Sequence, residues 1–324
     1  MSSLENWLDW TAATDARRLA ELTAEDSPST VTEWEAELRD QLGFAVASHG
    51  AGEAIISAAI DRIDRFPIEI GRLRYDGPVL ALDNVSPNLS TLHVAVIVSG
   101  RAQLVRFRKE KMIEAGELCA FMSYLDQTQI ILDGPAELLV LSLPYMWVDG
   151  RDEGKGVLDW GVPVKKTGKV GAILRTAIVG MVAERPSADG HYVFPPIVRD
   201  ILCQAFRESS AGEVDITAYE GRMRRLFRCL AKRAADPALT PADAAADLRC
   251  SVSMLHKTCA RYNITFGRLL LHMRLSRAKV VLGNSDLSIA EVAYLCGFNE
   301  HSHFSKCFKE MFGLSPKDYR LGLH

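Results

Sequence analysis

The chain has 324 residues, of which 48% are hydrophobic and 24% are charged, and its formal net charge is −3 at pH 7. This is ordinary globular content for a chain of two domains, and it excludes an intrinsically disordered protein. The longest apolar runs, at 93–100 and 137–148, are shorter than the roughly 20 residues of a membrane-spanning helix. The start MSSLENWLDW lacks the basic and apolar regions of an export signal, so we expect a cytoplasmic protein with no membrane partner.

Charge is distributed unevenly along the chain. Residues 217–324 carry 17 Lys and Arg against 9 Asp and Glu, a net +8, so the preceding 216 residues carry 21 against 32, a net −11. A basic C-terminal third is typical of a domain that neutralises nucleic-acid phosphates, although a positive surface can also serve solubility alone.

Seven cysteines are scattered over both parts of the chain, and no two are spaced as CxxC. An odd number without pairs indicates neither a disulfide framework nor a zinc site. The expectation is therefore reduced core cysteines, no metal and no cofactor.

The N-terminal part begins with helical spacing and continues with strands. Residues 4–22, 31–42 and 53–65 have apolar residues at helical intervals. Seven short apolar or alternating segments follow, separated by turn signals such as DGP and SGR. They predict a small barrel or sandwich with strands at 68–75, 79–84, 91–98, 102–108, 118–124, 127–132 and 137–143.

A barrel of this size can hold one small organic molecule. We expect its interior to be lined by Phe121, Tyr124, Gln129 and Trp147, with ordinary core packing as the alternative for each. His93 is the one histidine on a predicted strand, and a single histidine favours core packing over metal ligation.

Two apolar amphipathic helices are predicted after the barrel, the first at 169–185. Its stripe either forms a homodimer contact or packs on the barrel of its own chain. A basic helix then leads into the C-terminal domain, where its arginines and lysines could touch phosphates.

Residues 239–263 have the pattern of a helix-turn-helix unit. Thr240 and Pro241 suit the start of a first short helix, and Ser251 or Ser253 starts a second one. The polar outer side of that second helix carries Ser253, His256 and Lys257. A continuous helix is predicted next, and it would hold this unit at a fixed distance from a second copy.

That second copy lies at 286–320. A short amphipathic helix ends at Gly297, where glycine allows the chain to turn with positive φ. Phenylalanines every four residues then give the next helix an apolar stripe, opposite a polar and basic face. The side chains of that face and of its amino end, where a recognition helix meets base edges, are Asn299, His301, Ser302, Ser305, Lys306 and Lys309.

Residues 220–320 resemble the tandem helix-turn-helix domain of the AraC/XylS family of bacterial transcription regulators. The residues that carry the resemblance are Ser251, Leu255, Arg274-Leu275, Ala278, IAEVAYLCGF at 289–298, Ser302, Phe304, Ser305, Phe308-Lys309, Phe312-Gly313, Ser315-Pro316 and Tyr319-Arg320. The strand-rich part resembles, more weakly, the cupin-like ligand-binding domain of that family, without the histidine pair of metal-dependent cupins.

The resemblance implies an α+β multidomain fold. It comprises a cupin-like β-barrel with flanking helices in a regulatory domain at 1–165, linker and dimerisation helices at 166–216, and an all-α DNA-binding domain at 217–324. In the last, two helix-turn-helix units at about 240–262 and 288–312 are joined by a long helix. Both recognition helices would enter successive major-groove segments of double-stranded DNA, with Ser253, His256, Lys257, His301, Ser302, Ser305 and Lys306 at the matching positions.

The first unit departs from the family pattern at Arg249, Lys257, Cys259 and Asn263. Lys306 likewise replaces a common arginine. Because lysine is a point charge and not a planar fork, phosphate contact is favoured over bidentate guanine reading at these two lysines.

The function implied is a transcription activator, not an enzyme, that contacts RNA polymerase and responds to a small organic effector. Two alternatives stay open. One is a regulator controlled by a protein partner, and the other is a cysteine-dependent DNA-repair enzyme, against which the lack of clustered cysteines counts.

Overall fold

A computed structural model of the protein describes residues 35–36, 38–39, 43–49, 57–65, 68–85, 88–106, 109–123, 128–146, 169–183, 196–209 and 218–322. The helix predicted at 4–22 and most of the one predicted at 31–42 lie outside these residues, as do Tyr124 and Trp147.

The N-terminal domain consists of two five-stranded antiparallel sheets. In the first sheet the strand order is β1-β4-β9-β6-β7, and in the second it is β2-β3-β10-β5-β8. The strands are β1 (Phe44–His49), β2 (Ser57–Arg65), β3 (Ile68–Asp76), β4 (Val79–Asn84), β5 (Thr91–Ser99), β6 (Arg101–Arg106), β7 (Lys109–Glu114), β8 (Leu118–Met122), β9 (Thr128–Asp133) and β10 (Ala136–Pro144).

The two sheets pack face to face around one apolar core. Alternate residues of the facing strands point inward, for example Leu80 and Leu82 of β4 and Ile130 and Leu132 of β9. The opposite face of the second sheet is also apolar, through residues such as Val94 of β5, and helices cover it. The result is a sandwich whose second sheet is packed against helices on its outer face.

The seven strands expected from the sequence are all present, but the helix predicted at 53–65 is wrong. Residues Ser57–Arg65 form β2, which pairs with β3 along its whole length. The apolar residues of this segment satisfy a helical interval, but the backbone hydrogen bonds offered by β3 determine the structure. The sequence also did not indicate β1 or β7, and β7 is the charged segment KEKMIE at the edge of its sheet.

Two helices follow the sandwich, α1 (Lys169–Ala183) and α2 (Pro196–Ser209), and they pack on each other. Leu174 and Ile178 of α1 and Phe206 of α2 are buried in the same cluster as the covered face of the sandwich. The apolar stripe of α1 therefore packs on the sandwich of its own chain. Of the two possibilities predicted from the sequence, a dimer contact or packing within the chain, this is the second.

The C-terminal domain is helical throughout. Its helices are α3 (Ala218–Arg233), α4 (Pro241–Asp247), α5 (Val252–Ala260), α6 (Phe266–Asn284), α7 (Ile289–Leu295), α8 (His301–Phe312) and α9 (Pro316–Leu321). The first half of α6 packs with α3, α4 and α5, and its second half packs with α7, α8 and α9 in a separate core. One 19-residue helix thus joins two small units. Within the described ranges, we find no helix with the length and apolar character needed to cross a bilayer.

Candidate nucleic-acid interface

Each of the two units opens with the same hydrogen-bonded cap. The Thr240 hydroxyl oxygen accepts from the Asp243 N–H at 3.2 Å, and the Asp243 carboxylate accepts from the Thr240 N–H at 2.9 Å. Ser288 and Glu291 form the same reciprocal pair at 3.2 and 2.7 Å. Hydrogen bonds from the side chains and then from the N–H groups of Thr240 and Ser288 lower the pKa of the Asp243 and Glu291 carboxyl groups, because they stabilise the charged form.

Each unit then turns through one residue with positive φ. Gly297 has φ 87°, and Arg249 at the corresponding point of the first unit has φ 53°. A Cβ on Gly297 would lie 2.5 Å from the carbonyl oxygen of Ala234, so glycine is required there both for conformation and for space. Arg249 is exposed and adopts the left-handed conformation despite its side chain.

The second helix of each unit also ends in a similar way. Asn263 follows α5 with φ 53°, and Gly313 ends α8 with φ 78°. The replacement of glycine by asparagine at 263 thus keeps the backbone conformation, since asparagine tolerates the left-handed region.

In the first unit, α5 separates a buried face from a polar one. Leu255 and Cys259 are buried, whereas Ser253, His256 and Lys257 are exposed. Ser251 caps the helix by accepting from the Met254 N–H at 3.2 Å. All three α5 residues expected to contact DNA therefore lie on the solvent side of the helix.

In the second unit, α8 likewise has one buried face and one exposed polar face. Phe304 and Phe308 are buried with ring centroids 5.6 Å apart, and Phe308 also contacts Tyr319 of α9 at 5.6 Å. The residues expected to contact DNA lie on the outer side of α8 and just before it. Ser305 is half-buried, and the exposed ones are Asn299, His301, Ser302, Lys306 and Lys309. Glu310 lies on this side too, with a carboxylate oxygen 4.0 Å from the Lys306 nitrogen.

A groove of about 550 Å³ lies between the two units along α6. Gly267, Leu271 and Arg274 line it on one side, and Asn299 and His303 line it on the other. Arg274 is held in place because its guanidinium donates to the carbonyl oxygens of Ala234 at 2.9 Å and Asp236 at 2.8 Å. Sequence reasoning did not single out His303, whose exposed ring flanks the start of α8.

The side chains expected to line an N-terminal pocket occupy different places. Phe121 is buried between the sheets, where its ring stacks on His93 at 5.3 Å and lies 6.0 Å from Phe44. Gln129 instead lies on the outer face of its sheet, because its neighbours Ile130 and Leu132 alternate with it along β9, and its amide donates to Asp83 at 2.8 Å. Gln129 thus does not face the interior of the sandwich.

His93 is a buried polar residue in that interior. One ring nitrogen, Nδ1, lies 3.0 Å from the Ser142 hydroxyl, and the other, Nε2, is buried and has no hydrogen-bond partner among the described residues. Burial lowers the pKa of His93 to about 4, so the ring is neutral at pH 7.

The cysteines have the character of core residues. All seven are reduced thiols that form no disulfide with one another, and five of them are buried. Burial raises the pKa of Cys119 and Cys229 to about 12 and that of Cys259 and Cys296 to about 11, so these four are thiols at neutral pH and not nucleophilic thiolates. Among the described residues, no group of His, Cys, Asp and Glu is arranged to hold a metal ion.

Two capped helix pairs, each with a left-handed turn and an exposed polar second helix, define a tandem helix-turn-helix DNA-binding domain. Residues 244–322 match the family model described as a helix-turn-helix domain. Together with the relatives below, this match confirms the resemblance found in the sequence: the chain carries a DNA-binding domain of the AraC type.

The relatives share this domain. The chain is 29% identical over 230 residues to the transcriptional activator NphR of a Rhodococcus species, and this alignment covers 70% of this chain and 66% of NphR. It is 40% identical over 73 residues to the transcriptional activator RhaS of Salmonella arizonae, which covers 22% of this chain and 26% of RhaS. The chain thus aligns with less than two thirds of the length of these curated relatives.

A solved structure has a similar two-domain fold. The crystal structure of the AraC-like transcriptional activator CuxR matches 76% of this chain and 90% of its own, with a TM-score of 0.52 and 17% sequence identity. The fold expected from the sequence, a β-domain followed by two helix-turn-helix units on a long helix, is confirmed.

Proposed function

We propose that this protein is a sequence-specific transcription activator that binds double-stranded DNA through α5 and α8. The observation that supports this most directly is the exposure of both recognition surfaces while the sandwich is packed against the same domain. The side chains assigned to DNA contact are Ser253, His256, Lys257, Asn299, His301, Ser302, Ser305, Lys306 and Lys309.

The two recognition helices act as a pair in this proposal. Because α6 joins the two units, their recognition helices enter successive major-groove segments about one helical turn, or roughly 10 base pairs, apart. Serine, histidine and asparagine side chains supply hydrogen bonds to base edges, and Lys257 and Lys306 supply point charges for phosphates. The excess of basic residues after residue 217 contributes the sequence-independent part of the affinity.

The experiment that tests this function is genome-wide binding of the intact protein, compared with a Lys257→Ala/Lys306→Ala variant. A Lys111→Ala variant removes one exposed lysine from the sandwich and controls for a loss of general charge. Sharp peaks that persist in the control and disappear in the double variant are the expected result. Diffuse binding by the unmodified protein would contradict site-specific regulation.

We also propose that the sandwich senses a small organic effector. Support comes from the two-domain fold and from His93, whose Nε2 is a buried polar atom with no hydrogen-bond partner in the part of the chain that the structure describes. The competing proposal is a protein partner that controls the sandwich. Native mass spectrometry of the protein purified from its own cells distinguishes them: a bound molecule below about 1 kDa supports the effector, and a bound polypeptide supports the alternative.

The remaining parts of the proposal follow from DNA binding. Similarity to proteins named transcriptional activators supports a contact with RNA polymerase. A protein that acts on a bacterial promoter works in the cytoplasm. We propose domain boundaries at residues 1–165, 166–216 and 217–324, and a homodimer contact on the outer side of α1, where Ile173 is 53% exposed.

A further inference from the structure

A short turn of the sandwich, residues 88–90, is hydrogen-bonded to α6, the long helix of the DNA-binding domain. Leu89 donates its N–H to His272 Nδ1 at 3.1 Å, and Asn88 donates its side-chain N–H to the Ser276 hydroxyl at 3.1 Å. The hydroxyls of Ser90 and Ser276 are 2.5 Å apart, and the Ser90 hydroxyl also donates to the His272 carbonyl oxygen at 3.1 Å. We call residues 88–90 together with His272 and Ser276 the latch.

These hydrogen bonds form a continuous and buried chain. The Asn88 amide can donate to Ser276, Ser276 to Ser90, and Ser90 to the His272 carbonyl, so that each hydroxyl both accepts and donates. Ser90 and Ser276 are fully buried, and His272 is 6% exposed. Breaking the chain while the surface stays buried would leave polar groups without partners, which is costly.

The turn is held rigidly by the sandwich before it meets α6. Thr91 donates its N–H to the Asn88 carbonyl at 3.2 Å, and Tyr145 donates its N–H to the Ser90 carbonyl at 2.9 Å. The Ser123 hydroxyl donates to the Asn88 carbonyl as well. A turn fixed on the ends of β5 and β10 presents its donors to α6 without first having to be ordered.

A second contact lies further along the same side of α6. The Lys279 ammonium pairs with Glu69 of β3, and the same ammonium lies 5.3 Å from the ring centre of Phe312 and 5.7 Å from that of Tyr319. Phe312 is the last residue of α8, so this contact reaches from the sandwich to the end of the second recognition helix.

The two helix-turn-helix units are joined to the sandwich in different ways. The apolar cluster that covers the sandwich continues through α3 into the first unit and includes Leu255 and Met273. The second unit has its own cluster around Phe304 and Phe308. Among the described residues, the second unit is therefore oriented relative to the sandwich through α6 and its polar contacts, and not through a shared apolar core.

The latch and the groove occupy different sides of α6. His272, Ser276 and Lys279 follow at helical intervals and face the sandwich, whereas Gly267, Leu271 and Arg274 line the groove between the units. At 100° per residue the two stripes are about 140° apart around the helix axis. Docking of the sandwich therefore leaves the groove and both recognition surfaces uncovered.

We propose that the latch holds α6, and with it the second helix-turn-helix unit, in the arrangement that binds DNA. The docked form is the binding-competent form, and release of the latch lets the second unit lose its orientation relative to the first. This inference rests on the proposed function, since it needs a specific DNA site to be measured. The latch is then the element through which the sandwich affects the affinity for that DNA site.

A disulfide in place of the hydroxyl pair locks the latch. A Ser90→Cys/Ser276→Cys variant is prepared in an oxidised and a reduced form, and peptide mass spectrometry verifies the disulfide. Each form is then titrated with a DNA site to which the unmodified protein binds specifically. The single Ser90→Cys and Ser276→Cys variants control for the seven native cysteines. The oxidised form is expected to bind at least as tightly as the reduced form. Binding by the reduced form that is lost on oxidation would show that docking is inhibitory and would overturn the proposal.

A complementary variant opens the latch. Asn88→Ala/Ser276→Ala removes two side chains from the hydrogen-bond chain, and we expect roughly fivefold weaker binding to the specific site or more. The loss should fall on the DNA half contacted by α8, so base changes there should cost less affinity than in the unmodified protein. Unchanged affinity and unchanged half-site preference in a folded variant would also overturn the proposal. If neither the unmodified protein nor any variant selects a site, it is the proposed function that fails.

Discussion

Arg249 and Gly297 occupy the same turn position in the two helix-turn-helix units, and both have positive φ, 53° and 87° respectively. Only the glycine adopts this conformation without steric strain, because a left-handed residue with a Cβ crowds its own carbonyl oxygen. The two units thus share a backbone, but the first carries strain that the second does not.

Replacing Arg249 by glycine should therefore stabilise the first unit. Relief of the left-handed strain outweighs the greater flexibility of glycine in the unfolded chain, and we expect a gain of about 0.5–1 kcal/mol in the free energy of unfolding. Urea unfolding followed by far-ultraviolet circular dichroism measures it. Asn263→Gly is the matched control, since asparagine at a similar φ carries less strain, and its gain should be smaller. A loss of stability in Arg249→Gly would show that the arginine side chain stabilises the turn.

Alanine substitutions at three glycines of the same domain distinguish the cost of a left-handed backbone from the cost of a steric clash. Gly297→Ala combines left-handed strain with a Cβ 2.5 Å from the Ala234 carbonyl oxygen, and we expect a loss of about 3 kcal/mol or more. Gly313→Ala has the strain at φ 78° but no atom within 4 Å of the new Cβ, and should cost about 1 kcal/mol. Gly267→Ala has neither problem and should be stabilising, since alanine favours the helix. A different ranking of the three would contradict the packing described at the turn.

The sequence predicted the C-terminal domain well because its determinants are local. Caps, turn and apolar spacing all lie within about 25 residues of one another in each unit, so the roles of Thr240 and Gly297 follow directly from the sequence. The cap at Ser288 is a feature that the structure adds. The left-handed conformation at Arg249 could be inferred only by comparison with the second unit.

Other features depend on contacts between distant segments. The latch joins Leu89 to His272 across 183 residues, and no periodic pattern links the two positions. The interval between Ile60 and Ile63 predicts a helix, whereas this segment forms the strand β2 because it pairs with β3. Gln129 was expected to face inward, but the alternation of β9 places it outside.

Two buried histidines predict how stability depends on pH. Burial lowers the pKa of His93 to about 4 although the charge of Glu69 opposes the shift, and it lowers the pKa of His272 to about 4 with a further contribution from Arg268. The unfolded histidines titrate near 6.5, so below that pH the unfolded chain binds more protons than the folded one. The free energy of unfolding should fall by up to about 1.4 kcal/mol per pH unit for each histidine as pH decreases from 6.5 towards 4, and neither histidine should contribute above this window.

Urea unfolding between roughly pH 5 and 6.5 isolates this effect, because the carboxylates titrate mainly at lower pH. His93→Asn and His272→Asn keep a polar side chain near Ser142 and Leu89 but cannot take up a proton. Each should flatten the pH dependence by the contribution of one histidine, and the double variant by both. An equally steep dependence in the double variant would assign the protons to other groups.

The last prediction concerns the charges on α8. Lys306 is exposed on the recognition face, and Glu310 lies one turn further with its carboxylate 4.0 Å away. If Lys306 contacts a phosphate, Lys306→Ala should weaken binding and reduce the slope of log affinity against log salt concentration by about 0.9, the contribution of one neutralised phosphate. Glu310→Gln should have the opposite effect and tighten binding, because it removes a negative charge from the surface that faces the DNA. Titrations at several salt concentrations measure both slopes. A slope unchanged in Lys306→Ala, together with a relaxed preference at one base pair, would instead assign this lysine to base recognition.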